Sequence, residues 1–234
     1  MIMTPETIMH ELEALGSEQT KKTYIAHGAH EPLFGVLTGA MKPLAKKIKR
    51  NQPLADALYA TGNYDAMYFA GLIADPNRMT EADFERWIEA AYCYALSDFT
   101  VANVLVETGF AQTVADRWID SGKEFYMSSG WSCYCRLLGM LPDGEFHSDK
   151  IRVMLDQVRN TIHNQPNRTR YAMNNFVIAA GISYLPLHAE AAAAAQAVGK
   201  VHVDMGKTAC RVPLAAQYIQ KAVDAGRLGS KRKP

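Results

Sequence analysis

The chain has 234 residues, 48% of them hydrophobic and 21% charged, with a formal net charge of +1. This composition excludes a disordered chain and suffices for a sizeable core, and no apolar run approaches the ~18 residues of a membrane-spanning helix. The four cysteines (Cys93, Cys133, Cys135 and Cys210) form no CxxC pair, which excludes a disulfide scaffold and the common zinc patterns.

Taken in chain order, the opening "MIMTPETIMHELEAL" reads as an amphipathic helix carrying acids. It does not read as a basic, apolar leader, and the cytoplasm is the expected location. Leu37, Met41, Leu44 and Ile48 then mark one stripe of a helix, with Lys42, Lys46 and Lys49 on another face. Further helices are expected near 53–60 and 64–74. Thr80 is placed to cap a helix whose stripe is Phe84, Trp87, Ile88, Ala91 and Ala95. In "YALSD" (94–98), Asp98 is expected at the head of a helix over 99–107, as cap or first-turn acid beside the Tyr94 ring. Helices over 111–120 and 125–139 follow, and Cys133 and Cys135 are expected as small core residues.

Ile151, Met154, Leu155, Val158 and Ile162 form another stripe. "NQPNRTR" (164–170) then feeds a helix over 169–182, and Arg168 and Arg170 near its start suit phosphate anchoring. Helices over 187–198 and 214–225 close the series. The one strand-like candidate is "KVHVDM" (200–205). "MGKTAC" (205–210) ends like a phosphate-binding loop, but six residues separate Gly199 from Gly206 where such a loop needs four, so nucleotide hydrolysis is excluded. The histidines, His27 and His30 among them, cluster with no other metal donors and read as surface or capping residues; neither metal nor organic cofactor is expected.

Short helices joined by short turns predict an all-α fold, an α-solenoid of HEAT-like helix pairs forming a single domain over 1–234. A compact orthogonal bundle is the alternative. Charge is segregated: from Lys207 onward seven cations face one acid, Asp224. Together with "MKPLAKKIKR" this suggests a polyanion partner; the stretch from Lys207 on could also meet an acidic partner, and 227–234 reads as a basic C-terminal tail.

The ordered segments "PLFGVLTGAMKPLAKKIKR", "NYDAMYFAGLIAD", Tyr94-x-x-x-Asp98, "DRWIDSG" and "RYAMNNFVIAAG" resemble the AlkD-like DNA alkylation repair family of HEAT-like repeat proteins. The resemblance implies a double-stranded DNA partner, damaged or unusual in structure. It also implies, for active members, hydrolysis of the N-glycosidic bond of N3- or N7-alkylated purines. A cationic base leaves without a general acid, so the implied catalytic pair is Asp98, stabilising the sugar cation and aligning water, and Tyr94, contacting the deoxyribose. Tyr94 stands where active members have tryptophan, Asn175 at or near a second tryptophan, and Ser128 near an arginine. The closing segment is similar to a branch without glycosylase activity. The implied DNA contacts are Lys42, Lys46, Lys49, Arg168, Arg170 and Asn175. A non-catalytic protein–protein scaffold remains the competing class; an RNA binder is weaker, for want of an aromatic stacking platform among the basic stretches.

Overall fold

A computed structural model describes residues 3–232, so Lys233 of the basic tail lies outside the described residues. Regular structure among the described residues is helical, and their only β pairing is an isolated bridge between Gly16 and Val36. The chain groups into two compact units, one running to Ala111 and taking in Met205–Ala209, the other holding Gln112–Asp204 and the residues from Cys210 on.

In the first unit, α1 (Pro5–Leu15) and α2 (Glu18–Ala26) start on Thr4 and Ser17, whose hydroxyls accept from backbone amides in the first turn. α3 (Thr38–Ile48) carries the lysines. α4 (Gln52–Tyr59) and α5 (Tyr64–Ile73) are capped by Asn51 and Asn63. α6 (Glu81–Ala90) opens on the expected Thr80, with Asp83 completing a reciprocal capping box. The next helical run is α7 (Tyr94–Leu96), a π segment (Ser97–Val101) and α8 (Ala102–Leu105) in direct succession. It therefore begins five residues before the expected 99–107.

α4 packs on α5, α1 on both of them, and α3 on α5, which in turn packs on the π segment. α4 and α6 are joined where Tyr59 stacks on Trp87 at 4.1 Å and its hydroxyl donates to the Trp87 carbonyl. Phe84, Trp87 and Ile88 are buried as their spacing requires. Of the α3 stripe only Met41 is fully buried; Leu37 is 62% exposed because it precedes the helix.

The connection from α2 to α3 is fixed by Asp65, fully buried at the start of α5. Its carboxylate accepts from the amides of Phe34 (2.6 Å), Gly35 (3.0 Å) and Val36 (2.8 Å). Gly35 sits at φ +77°, and a Cβ there would meet Lys21 N and Ser17 O at 2.5 Å.

The second unit holds α9 (Ala111–Ile119), α10 (Glu124–Met140), α11 (Ser148–Thr161), α12 (Asn167–Ser183), α13 (His188–Val198) and α14 (Ala215–Asp224). α10 packs on α12 and α11 on α13, while α14 closes against α12. Trp131 and Tyr134 meet Phe176 edge-on at the centre. The Ile151–Ile162 stripe is buried throughout.

Residues 200–205 form no strand: no neighbouring strand pairs with them, and the Asp204 amide goes instead to Asn167 Oδ1 at 2.7 Å. The basic tail, as far as it is described, is not a free arm either. Lys231 Nζ donates to the Leu138 and Ser183 carbonyls (2.8 and 2.7 Å) and to Asp143 Oδ1 (2.7 Å). The Arg232 amide donates to the Gly139 carbonyl at 2.7 Å. The negative ends of α10 and α12 hold this cation by their unsatisfied carbonyls. Among the described residues no single helix is long and apolar enough to cross a membrane.

Candidate nucleic-acid interface

The "YALSD" turn differs from its expected form. The helix starts at Tyr94 after Cys93, whose side chain makes no capping bond, so Asp98 is no cap but lies within the π segment, 3% exposed. The Ser97 hydroxyl donates to its Oδ1 at 2.8 Å. A π turn leaves carbonyls poorly aligned, and neighbouring side chains take them up: Thr100 Oγ1 donates to the Ala95 carbonyl at 3.3 Å, and Asn103 Nδ2 donates to that of Phe99. Segments of this type recur at functional sites.

Tyr94 is half-buried. Its hydroxyl pairs with Nδ1 of His27 at 2.8 Å, and its ring meets Phe99 edge-on at 6.1 Å. His27 is the C-cap of α2, as a capping reading allows, but its tie to Tyr94 has no signal in the sequence. His30 likewise stacks on Tyr92 at 3.7 Å, and burial pushes the Tyr92 phenol up, keeping it neutral. Phe99, 43% exposed between buried Asp98 and Thr100, is a second residue the sequence reading missed.

On α3, Lys42, Lys46 and Lys47 are exposed, as is Lys49 just beyond its end, and none forms an ion pair among the described residues. Elsewhere many cations are engaged: Lys21 with Glu31, Arg50 with Glu107, Arg152 with Glu190, Arg159 with Asp156. Lys49 has φ +64° and ψ −150°, a conformation for which side chains are poorly suited.

The α12 candidates have a different character. Arg168 is 9% exposed, its amide donating to Glu124 Oε1 at 2.6 Å and its guanidinium lying over the Tyr171 ring. Arg170 is half-buried and donates to Asn167 Oδ1 at 3.3 Å. Asn167 is in turn clasped to Asp204, so the polar loop closes on its own chain. Asn175 is half-buried; its neighbours Asn174 and Phe176 are fully buried, Asn174 donating to the Pro213 carbonyl at 2.9 Å. Ser128 is fully buried on α10. The structure thus joins Tyr94 and Asp98 in one turn and groups the three lysines in the same unit. Arg168, Arg170 and Asn175 share α12. No group of three or more metal-binding side chains is found among the described residues.

Stacked helix pairs of this order define a HEAT-like repeat protein. The sequence matches the family model for "DNA alkylation repair enzyme" over residues 8–214, and the chain belongs to that family. It is similar, at 59% identity and a TM-score of 0.93 over 98% of each chain, to a solved structure. That structure is described as "a new family of proteins related to the HEAT-like repeat DNA glycosylases with affinity for branched DNA structures". Two proteins called uncharacterized, Lin0241 of Listeria innocua serovar 6a and Lmo0209 of Listeria monocytogenes serovar 1/2a, are each 34% identical over 226 residues. Those matches span 94% of this chain and 98% of theirs.

Proposed function

We propose that this protein binds double-stranded DNA of unusual structure, branched DNA foremost, and that binding rather than base excision is its activity. The observation that carries the reading is the row of exposed lysines at α3, unpaired among the described residues and one helix away from the Tyr94–Asp98 turn. Free cations are what phosphates require. The affinity of the 59%-identical relative for branched DNA supports the choice of partner.

Excision would need the Asp98 carboxylate to face a developing sugar cation. It lies 3% exposed and hydrogen-bonded by Ser97. Asn175 stands at or near the place where the resemblance puts a tryptophan, and buried Ser128 near that of an arginine. Catalytic groups acting as a unit do not tolerate such losses. In this reading Asp98 shapes the turn and Tyr94 presents its ring to the DNA. Lys42, Lys46 and Lys49 hold phosphates; Arg168, Arg170 and Asn175 shape α12. In the same reading the chain works as one domain of HEAT-like helix pairs, with the cytoplasm as its place of action.

The test is a titration of a four-way junction and a linear duplex of equal length, with salt varied. The three lysine–phosphate contacts give a log–log slope of about −2.7, roughly a 40-fold loss between 50 and 200 mM salt. A flat salt response, or equal affinity for the two DNAs, refutes the proposal. Release of 7-methylguanine or 3-methyladenine that is lost in Asp98→Asn would restore the glycosylase reading.

A further inference from the structure

From the π segment we infer that Phe99 is a stacking residue that selects branch points in DNA, resting on the DNA-binding reading above. Phe99 projects 43% exposed from a turn whose other members, Ser97, Asp98, Thr100 and Val101, are all buried. An aromatic residue 43% exposed at the centre of a buried turn gives up burial that a polar residue would not need. The turn is also stiff. Tyr94 meets the Phe99 ring at 71° and is itself held by His27. The carbonyls of Ala95 and Phe99 are satisfied by Thr100 and Asn103.

Base stacking explains why such a ring would distinguish DNA structures. Inside a continuous duplex each base face is covered by its neighbour, and inserting a side chain there costs a few kcal/mol of unstacking. At a branch point the terminal pairs of the arms expose a face, so an aromatic ring stacks on it without that cost. α3 and the π segment both pack on α5, so the lysines and Phe99 belong to the same group of packed helices. In the proposed complex an arm whose phosphates lie on Lys42 and Lys46 presents its end to Phe99. Phe99 confers selectivity, while the lysines supply affinity common to all DNA.

The experiment compares wild type, Phe99→Ala and Phe99→Trp on a four-way junction and on linear duplex of equal length. Stacking on an aromatic side chain contributes about 1–3 kcal/mol per base, so Phe99→Ala should lower the junction-over-linear affinity ratio about tenfold. Phe99→Trp should keep it. In parallel, 5-iododeoxyuridine at the branch point should cross-link to residue 99 under long-wave light. A ratio unchanged in Phe99→Ala, with wild type still binding junctions, overturns the stacking role and leaves the DNA-binding reading intact. Wild type that binds neither DNA overturns both.

Discussion

Replacing Asp65 by alanine removes the acceptor for three backbone amides at once, those of Phe34, Gly35 and Val36. A buried amide left without a partner costs about 1–3 kcal/mol. Three would approach the upper range of single-site effects, less what the segment recovers by swinging toward water, so about 3–5 kcal/mol is expected. For a chain of this size each kcal/mol lowers Tm by about 2–4 °C, which makes the expected drop roughly 10 °C. The same segment leads into α3, so junction affinity should fall along with stability as the lysine helix loses its fixed start. Asp65→Asn retains one acceptor oxygen but turns an NH2 toward donors, and should lie between the two. Melting followed by circular dichroism, with junction titrations below the transition, reads both effects. An Asp65→Ala protein melting within about 2 °C of the parent would refute the reasoning.

Lys49→Gly should raise stability by about 1 kcal/mol, since glycine accepts φ +64° without strain, yet weaken DNA binding; a thermal melt beside a titration shows whether the two separate. Gly71→Ala places a Cβ 2.6 Å from Thr100 Cγ2 and should cost about 1–3 kcal/mol in chemical denaturation, a loss that Thr100→Ser relieves by removing that methyl. Lys231→Met should leave the carbonyls of Leu138 and Ser183 and the Asp143 carboxylate without their donor, speeding amide exchange near the ends of α10 and α12 while junction affinity holds. A maleimide should label exposed Cys210 first, whereas Cys133, whose thiol burial pushes up, should react only on unfolding; early labelling of Cys133, seen by peptide mass spectrometry, would contradict that burial.

The helices were legible because burial leaves a period. The stripes Phe84–Trp87–Ile88 and Ile151–Ile162 are buried as spacing requires, and Thr80 caps α6 with Asp83 answering three residues later. Polar partners leave no period. Asp65 finds its amides about 30 residues away and Tyr94 finds His27 at a separation of 67, distances at which one sequence carries no trace of pairing. The Ser97-Asp98 pair imitates a cap, yet the preceding turn was already helical and the extra residue was absorbed as a π segment. Arg168 and Arg170 read as phosphate anchors at a helix start; what the sequence does not carry is that the Arg168 guanidinium lies over Tyr171, that its backbone amide goes to Glu124 and that Arg170 donates to Asn167. The lysines of α3 were readable for the opposite reason, since no ion pair among the described residues engages them.

The short segment Met205–Ala209 belongs to the first unit although the residues on both sides of it belong to the second. Gly206, at φ +67°, approaches so closely that a Cβ would meet the Ala26 carbonyl oxygen at 2.7 Å. During synthesis the end of α2 therefore waits for a piece of chain made about 180 residues later, a contact of very high sequence separation, and such contacts form late. The N-terminal helices can assemble as they leave the ribosome, but the surroundings of Ala26, next to the histidine that holds Tyr94, are completed only after the second unit has almost been made.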